Sequence, residues 1–243
     1  MRARIFRLPT ACTHRIEHEC TGSTIYSIAG RRETIHRSNL PTRLQLGTKQ
    51  CDQLWRDIVR VGTDGKVKGH FLGSVVHIAA EQSSAGISRW LIIDGQQRLT
   101  TLTLLLTALR DRLKTTPQIV AQSETLPTSD AINDYYLRNA HAKEERRNKL
   151  ALRRADQTTL VALLDGVDLP KQQSERIQEK FDFFVDKIND PDINLEIVYG
   201  GIKKLMIVDV SLARGQDDPQ MIFESLNSTG LDLTQADLIR NLC

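Results

Sequence analysis

A chain of 243 residues with 40% hydrophobic and 26% charged content can bury the core of one large domain or two small ones, which excludes a disordered or fibrous protein. No apolar run approaches the roughly 20 residues that span a bilayer, the Arg-rich start lacks the apolar segment of a secretory signal, and four scattered cysteines form no disulfide framework; together these predict a cytoplasmic protein without membrane partners. The net charge of +3 is local: residues 1–50 hold nine Lys/Arg against three Glu, leaving 24 basic against 27 acidic residues beyond, so the body of the chain is no basic DNA clamp.

The first 50 residues are basic and Thr/Ser-rich, show no sustained period of 2 or 3.6, and read as an atypical arm. Cys12, His14, His18 and Cys20 nominally supply four zinc ligands, but C-x-H-x3-H-x-C has the spacing of no common zinc module, and no metal is expected there. Ordinary globular patterning begins near Asp52. Cys51 to Val61 predicts a helix with Leu54, Trp55, Ile58 and Val59 on one face, and Thr63-Asp64-Gly65 a turn. Phe71–Ala79 is an apolar, β-branched strand, Glu81 to Ser88 a polar hairpin loop, and Arg89–Ile93 the returning antiparallel strand. His70, with no identifiable partner, reads as a packing or surface histidine.

The informative stretch follows at once. A strand ending at Ile93 runs into Asp94-Gly95, and Leu99, Leu102, Leu105, Leu106 and Leu109 then recur at helical spacing. Such a corner aims the first free N–H groups of a helix, and the positive end of its dipole, beyond the strand end. Asp94 adds a metal or water ligand, Gln96 and Gln97 neutral hydrogen-bonding groups and Arg98 a fixed cation, a set that suits a phosphate. The pattern also fits a plain helix start, in which Asp94 caps the helix, Gln97 closes a capping box and Arg98 is solvated.

The helix after Gly95 is predicted to reach about Lys114, where Thr115-Thr116-Pro117 ends it; Thr100 or Thr101 in its first turn has the position to touch a phosphate. Gln118 to Thr128 is loop-like, and Ala131 to Arg138 a short helix whose Tyr135 and Tyr136 serve packing. The mixed-sign run Lys143-Glu144-Glu145-Arg146-Arg147 is a solvated face. Lys149–Leu152 is a short strand, Asp156 caps a helix through Leu164, and Gln173–Ile188 is an amphipathic helix. A further helix over Leu195 to Lys204 precedes a buried strand, Leu205 to Val210. Asp218-Pro219 starts a short helix that Asn227 ends, and Thr234-x-x-Asp237 opens a last helix expected to be cut off at Cys243, which would make the chain a fragment. The fold class is α+β: a small mixed sheet packed on the long helix, followed by a mostly helical portion, with an arm over 1–50, a core over 51–115 and a helical part over 116–243.

Asp94-Gly95-Gln96-Gln97-Arg98-Leu99-Thr100-Thr101-Leu102, preceded by His70-Phe71-Leu72-Gly73-Ser74 and followed by Phe223-Glu224-Ser225-Leu226-Asn227-Ser228-Thr229-Gly230 and Ala236-Asp237-Leu238-Ile239-Arg240-Asn241, closely resembles the N-terminal domain of GmrSD-type restriction endonucleases. The resemblance implies a ParB/sulfiredoxin-like fold and a nucleotide-dependent, modification-dependent restriction of phage DNA, in which this domain binds and hydrolyses GTP or ATP with Mg2+ while an HNH-type nuclease domain or partner, absent from this chain, cuts DNA. It implies Asp94, Gln97 and Arg98 as catalytic residues, with Asp94 also holding the divalent ion, and Gly95, Gln96, Thr101, Asn227 and Arg240 as phosphate- and nucleotide-binding residues. A non-catalytic ParB-like nucleotide- or DNA-binding module, or an inactive remnant, is the alternative. Oligomeric state, the nucleotide and the DNA modification are not legible.

The family would carry Val-Pro-x-Tyr-Gln-Arg-x-Tyr-Ser-Trp-Glu shortly before Leu54-Trp55-Arg56-Asp57-Ile58. That motif is missing here. Back-translating residues 37–47 and reading one base later permits codons for it at the right distance, so the segment ending near Lys49 is expected to be an off-frame translation with the frame restored before Cys51. The nucleotides of residues 37–49 decide this.

Overall fold

The computed structural model describes residues 2–6, 33–37, 47–81, 88–139, 142 and 146–212. The nominal zinc ligands Cys12 to Cys20, most of the expected hairpin loop, Lys143 to Glu145 of the expected solvated face, and the expected C-terminal helices with Asn227 and Arg240 lie outside these residues.

Hydrophobic side chains at consecutive positions, rather than alternate ones, mark strands buried on both faces, and the two central strands are of this kind. In β3 (His70–Glu81), Val75 joins the main core while Val76 and Ile78 join a second cluster on the opposite face; in β4 (Ser88–Asp94), Ile92 and Ile93 divide likewise. The two strands are antiparallel, as the hairpin pattern predicts. On the other side of β3, β6 (Leu205–Leu212) pairs in parallel, so a strand from the far end of the described chain completes the centre of the sheet. Two strands fall in the N-terminal arm, where no regular element was expected: β1 (Arg2–Phe6), antiparallel to β6, and β2 (Glu33–Arg37), parallel to β4 and to the two-residue β5 (Leu150–Ala151). Five-residue segments are too short for a periodicity to show, and here an existing sheet supplies the pairing. The order is β1-β6-β3-β4-β2-β5, a six-stranded mixed sheet.

The helices confirm the α+β architecture. α1 (Thr48–Thr63) buries Cys51, Leu54, Trp55, Ile58 and Val61. α2 (Gln96–Thr115) is buried all round: besides its leucines it hides Thr100, Thr101, Thr107 and Arg110. The buried threonines are tolerated because Thr100 and Thr107, like Thr103, donate their hydroxyls to the carbonyl four residues back, at 2.7–2.8 Å. Pro117 does not merely stop α2; it occupies the first turn of α3 (Pro117–Gln122), where its missing N–H costs nothing, so the predicted loop is partly helical. α4 (Ser129–Ile132), capped by the Thr128 hydroxyl, continues into a π-helical turn over Asn133–Leu137 that buries Tyr136 and leaves Tyr135 exposed.

α5 (Arg154–Asp165) begins two residues before Asp156, which therefore sits in the first turn and not at the cap position expected of it. Its carboxylate turns inward to take Arg176 and the Ser174 hydroxyl at the start of α6 (Glu175–Asn189). Arg110 reaches from α2 to donate to the last carbonyls of α5, Leu164 O at 2.9 Å and Leu163 O at 3.3 Å, and Lys204 does the same for α1 at Val61 O and Asp64 O. α7 (Leu195–Lys203) crosses α1 at backbone distance: a Cβ on Gly62 would lie 2.1 Å from Ile197 O, and one on Gly201 2.0 Å from Ile58 O, so only glycine permits this crossing. Among the described residues no helix is long and apolar enough to cross a membrane.

Candidate functional site at the β4–α2 corner

The strand-to-helix corner forms as the sequence predicts, but its capping differs from the plain helix start. Gly95 is the N-cap residue, at φ 91°, and has no side chain with which to cap α2. Asp94 is thereby released from capping, and its carboxylate instead takes the Arg98 guanidinium at 3.1 Å. Both side chains keep somewhat more than a quarter of their surface exposed, so the ion pair sits at the boundary between core and solvent. The first turn of α2, with its N–H groups outside the helix's own hydrogen-bond ladder, begins at this corner.

Two glycines make the corner possible. A Cβ on Gly95 would meet Val75 Cγ2 at 2.8 Å and Ser74 O at 2.9 Å, so the turn lies directly on β3. Gly73, at φ 126° and at a shift in the β3–β6 register, lies under Arg98: its Cβ would stand 3.0 Å from the guanidinium carbon and Nε. The segment Leu72-Gly73-Ser74, which carries part of the family resemblance, is thus the floor of the corner.

The predicted residues do not all share one surface. Asp94, Gly95 and Arg98 meet at the corner, and Gln97, in the first turn of α2, is half-buried. Gln96 turns away: it is 4% exposed, and its amide nitrogen donates to Ile92 O at 2.9 Å, clipping the end of β4 to the start of α2. Thr101 is buried in the next turn of the helix, 5% exposed.

One participant went unread in the sequence. Lys180 of α6 is 5% exposed, and its ammonium donates to Gln97 Oε1 at 3.3 Å. Burial is the main influence on this lysine and lowers its pKa, with the charge of Arg176 acting the same way and Cys51 and Asp156 opposing. The buried thiol of Cys51 is correspondingly pushed up by burial, with Lys180 opposing. The signal for Lys180 was its position: Ile177, Lys180, Phe184 and Ile188 form the buried stripe of α6, and a lysine there is out of pattern.

A second polar pair occupies the helix-facing side of the sheet, where His77 Nε2 meets the Asp209 carboxylate and the imidazole stands edge-on to Trp90, with ring centroids 4.6 Å apart. His70 also has a partner: its Nε2 lies 3.5 Å from Asp57 Oδ2. Among the described residues no group of three His, Cys, Asp or Glu side chains is placed to hold a metal ion by itself.

A search of curated proteins finds no match. A family model described as the GmrSD restriction endonuclease, N-terminal domain, matches residues 45–243 and so takes in the corner, its floor and Lys180. With that match extending over most of its length, the chain belongs to the GmrSD restriction endonuclease N-terminal domain family and has its part in a restriction system of that kind.

Proposed function

We propose that the β4–α2 corner binds the phosphates of GTP or ATP with Mg2+ and hydrolyses the nucleotide, in a modification-dependent system of phage defence whose DNA cleavage falls to an HNH-type nuclease domain or partner. The observation that carries this is the Asp94–Arg98 pair at 3.1 Å beside the N-terminus of α2, where the N-cap residue is a glycine. An anion arriving there meets backbone N–H groups, the helix dipole and a guanidinium at once. Phosphoryl transfer needs mainly positioning and charge stabilisation, so a small set of groups suffices.

The Asp94–Arg98 pair itself stabilises the protein by only about 0.2–1 kcal/mol at this exposure, so a triphosphate can exchange it for better partners. Arg98 then faces the phosphate and stabilises charge on the transferred group, while Asp94 is freed for the ion or the attacking water. The donor set fits Mg2+ in the manner usual with nucleotides, one protein carboxylate plus phosphate oxygens, and Asp94 is the residue that would hold it. When bound, the ion neutralises charge on the phosphate oxygens. Of the two motif amides, Gln97 is the one assigned to this ligand, because Gln96 serves the backbone. Asn227 and Arg240 would close the pocket from the C-terminal segment.

The test is GTP and ATP binding and turnover by the purified protein and by Asp94→Ala and Arg98→Ala. Turnover abolished in both variants is the expected result. Binding without turnover would make the domain a nucleotide-sensing switch, and absence of both would overturn the proposal.

A further inference from the structure

A lysine at 5% exposure on the buried stripe of a helix is costly to keep, and its single contact with the corner is directional. An ammonium group carries three donors and no acceptor, so the Gln97 atom it touches at 3.3 Å must be the carbonyl oxygen. That fixes which way the Gln97 amide faces. With Oε1 turned to α6, the remaining polar end of this half-buried side chain is its NH2 group, which can only donate.

We propose that Lys180 is a positioning residue of the corner: it holds the Gln97 carbonyl, so that Gln97 offers its NH2 to a phosphate oxygen of the bound ligand and does not accept a hydrogen bond from the attacking water. This rests on the nucleotide reading given above and narrows it. A glutamine that orients an attacking water presents its carbonyl oxygen to it; here Lys180 takes one lone pair of that oxygen and holds it on the α6 side, which favours the NH2 as the ligand-facing group. Gln97 therefore contributes to holding the ligand, in the ground state as well as the transition state, and its loss is felt in affinity before turnover. The neighbours of Lys180 leave this role open: Asp156 is committed to Arg176 and the Ser174 hydroxyl, and the Cys51 thiol is kept neutral by burial.

Two variants and two readouts test the assignment. In Gln97→Glu the carboxylate still accepts from Lys180, but no donor remains for the phosphate. Binding of Mg·GTP and Mg·ATP is expected to weaken about ten- to hundred-fold through the lost hydrogen bond to a charged group, and further through the added negative charge, while kcat changes much less. Lys180→Met removes the anchor, and Lys180→Arg restores a donor and with it part of the affinity. Independently of any nucleotide, the Gln97 side-chain NH2 signals in a 15N-resolved NMR spectrum should shift, and exchange faster, in Lys180→Met. Wild-type affinity with a lowered kcat in Gln97→Glu would overturn the donor role in favour of water orientation. Unchanged Gln97 amide signals in Lys180→Met would overturn the positioning role. If the wild-type protein binds neither nucleotide, the proposed function fails and the donor role fails with it, whereas the amide signals still decide the Lys180–Gln97 contact.

Discussion

Gly73→Ala is the substitution that most directly probes how the corner is built. At φ 126° an L-residue is outside its ordinary wells, and such a conformation costs about 1–3 kcal/mol. The new methyl carbon would also lie 3.0 Å from Arg98 Cζ and Nε and 3.1 Å from Nη1, so the guanidinium must move off the strand. Arg98 is flexible, and its pair with Asp94 is partly exposed, so this second contribution is about 0.2–1 kcal/mol. At this chain length about 2–4 °C is lost per kcal/mol, so Tm should fall by about 2–16 °C. The two contributions separate in a double-mutant cycle read by urea and thermal denaturation. In the Arg98→Ala background the methyl meets no guanidinium, only the backbone cost remains, and Gly73→Ala should be milder by about 0.2–1 kcal/mol. Equal costs in the two backgrounds would refute the placement of Arg98 over Gly73, and with it the floor assigned to the candidate site.

Acid should weaken the protein through the joint between α1 and β3. Burial raises the Asp57 carboxyl, but hydrogen bonds from Gln53 and Arg60 and the charges of His70 and Arg60 outweigh it and hold the pKa below the ordinary value. Burial lowers His70 against the pull of Asp57. Both groups bind protons more readily when unfolded, so stability is full above the ordinary imidazole range, declines below it, and declines again below the ordinary carboxylate range. Urea midpoints between neutral and acid pH should show both declines, His70→Gln flattening the upper and Asp57→Asn the lower; an unaltered profile in both variants would refute the assignment. Arg176→Ala leaves the 3%-exposed Asp156 carboxylate without its cation, and should cost about 2 kcal/mol, less than for a fully buried pair because Arg176 is half exposed. No change in denaturation midpoint would show that Ser174 and the surrounding groups suffice. Lys180→Met should not destabilise, because it removes a charge that burial disfavours. The wild-type protein should gain stability as alkaline pH discharges this lysine, best measured in a Cys51→Ala background because the buried thiol acts oppositely; a loss of stability in Lys180→Met at neutral pH would refute this.

Local patterning made the corner legible, and long-range partners set what was not. The β-branched run, Asp94-Gly95 and the leucine spacing sufficed to place β4, the turn and α2. The exchange of a capping box for an Asp94–Arg98 pair was not readable, because it depends on Gly95 adopting positive φ against Ser74 and Val75, residues twenty positions away. The inward turn of Gln96 was equally hidden, since Gln96 and Gln97 are chemically identical and only the packing of α2 tells them apart. Asp156 reads as a helix cap until α6 brings Arg176 to it. Lys180 was the one long-range participant with a local signature, a charge standing in the apolar stripe of an amphipathic helix.

Several of the positions where the described chain departs from local rules gather at the corner. Of the described glycines at positive φ, Gly166 does the simple work of ending α5, and a Cβ there would meet nothing within 4 Å. The other two, Gly73 and Gly95, both lie against the corner, where a Cβ would strike Arg98 in one case and the β3 backbone in the other. The buried ammonium of Lys180 points at the same few residues. Sequences tend to keep strained backbone and buried charge where a site depends on them, since elsewhere a residue without that cost is available. Packing alone does not need Arg98 over a glycine, and a methionine would fill the place of Lys180 without a charge to desolvate. Three such costs converge on residues 94–98, an independent reason, besides the chemistry of the side chains, to regard this corner as the working part of the domain.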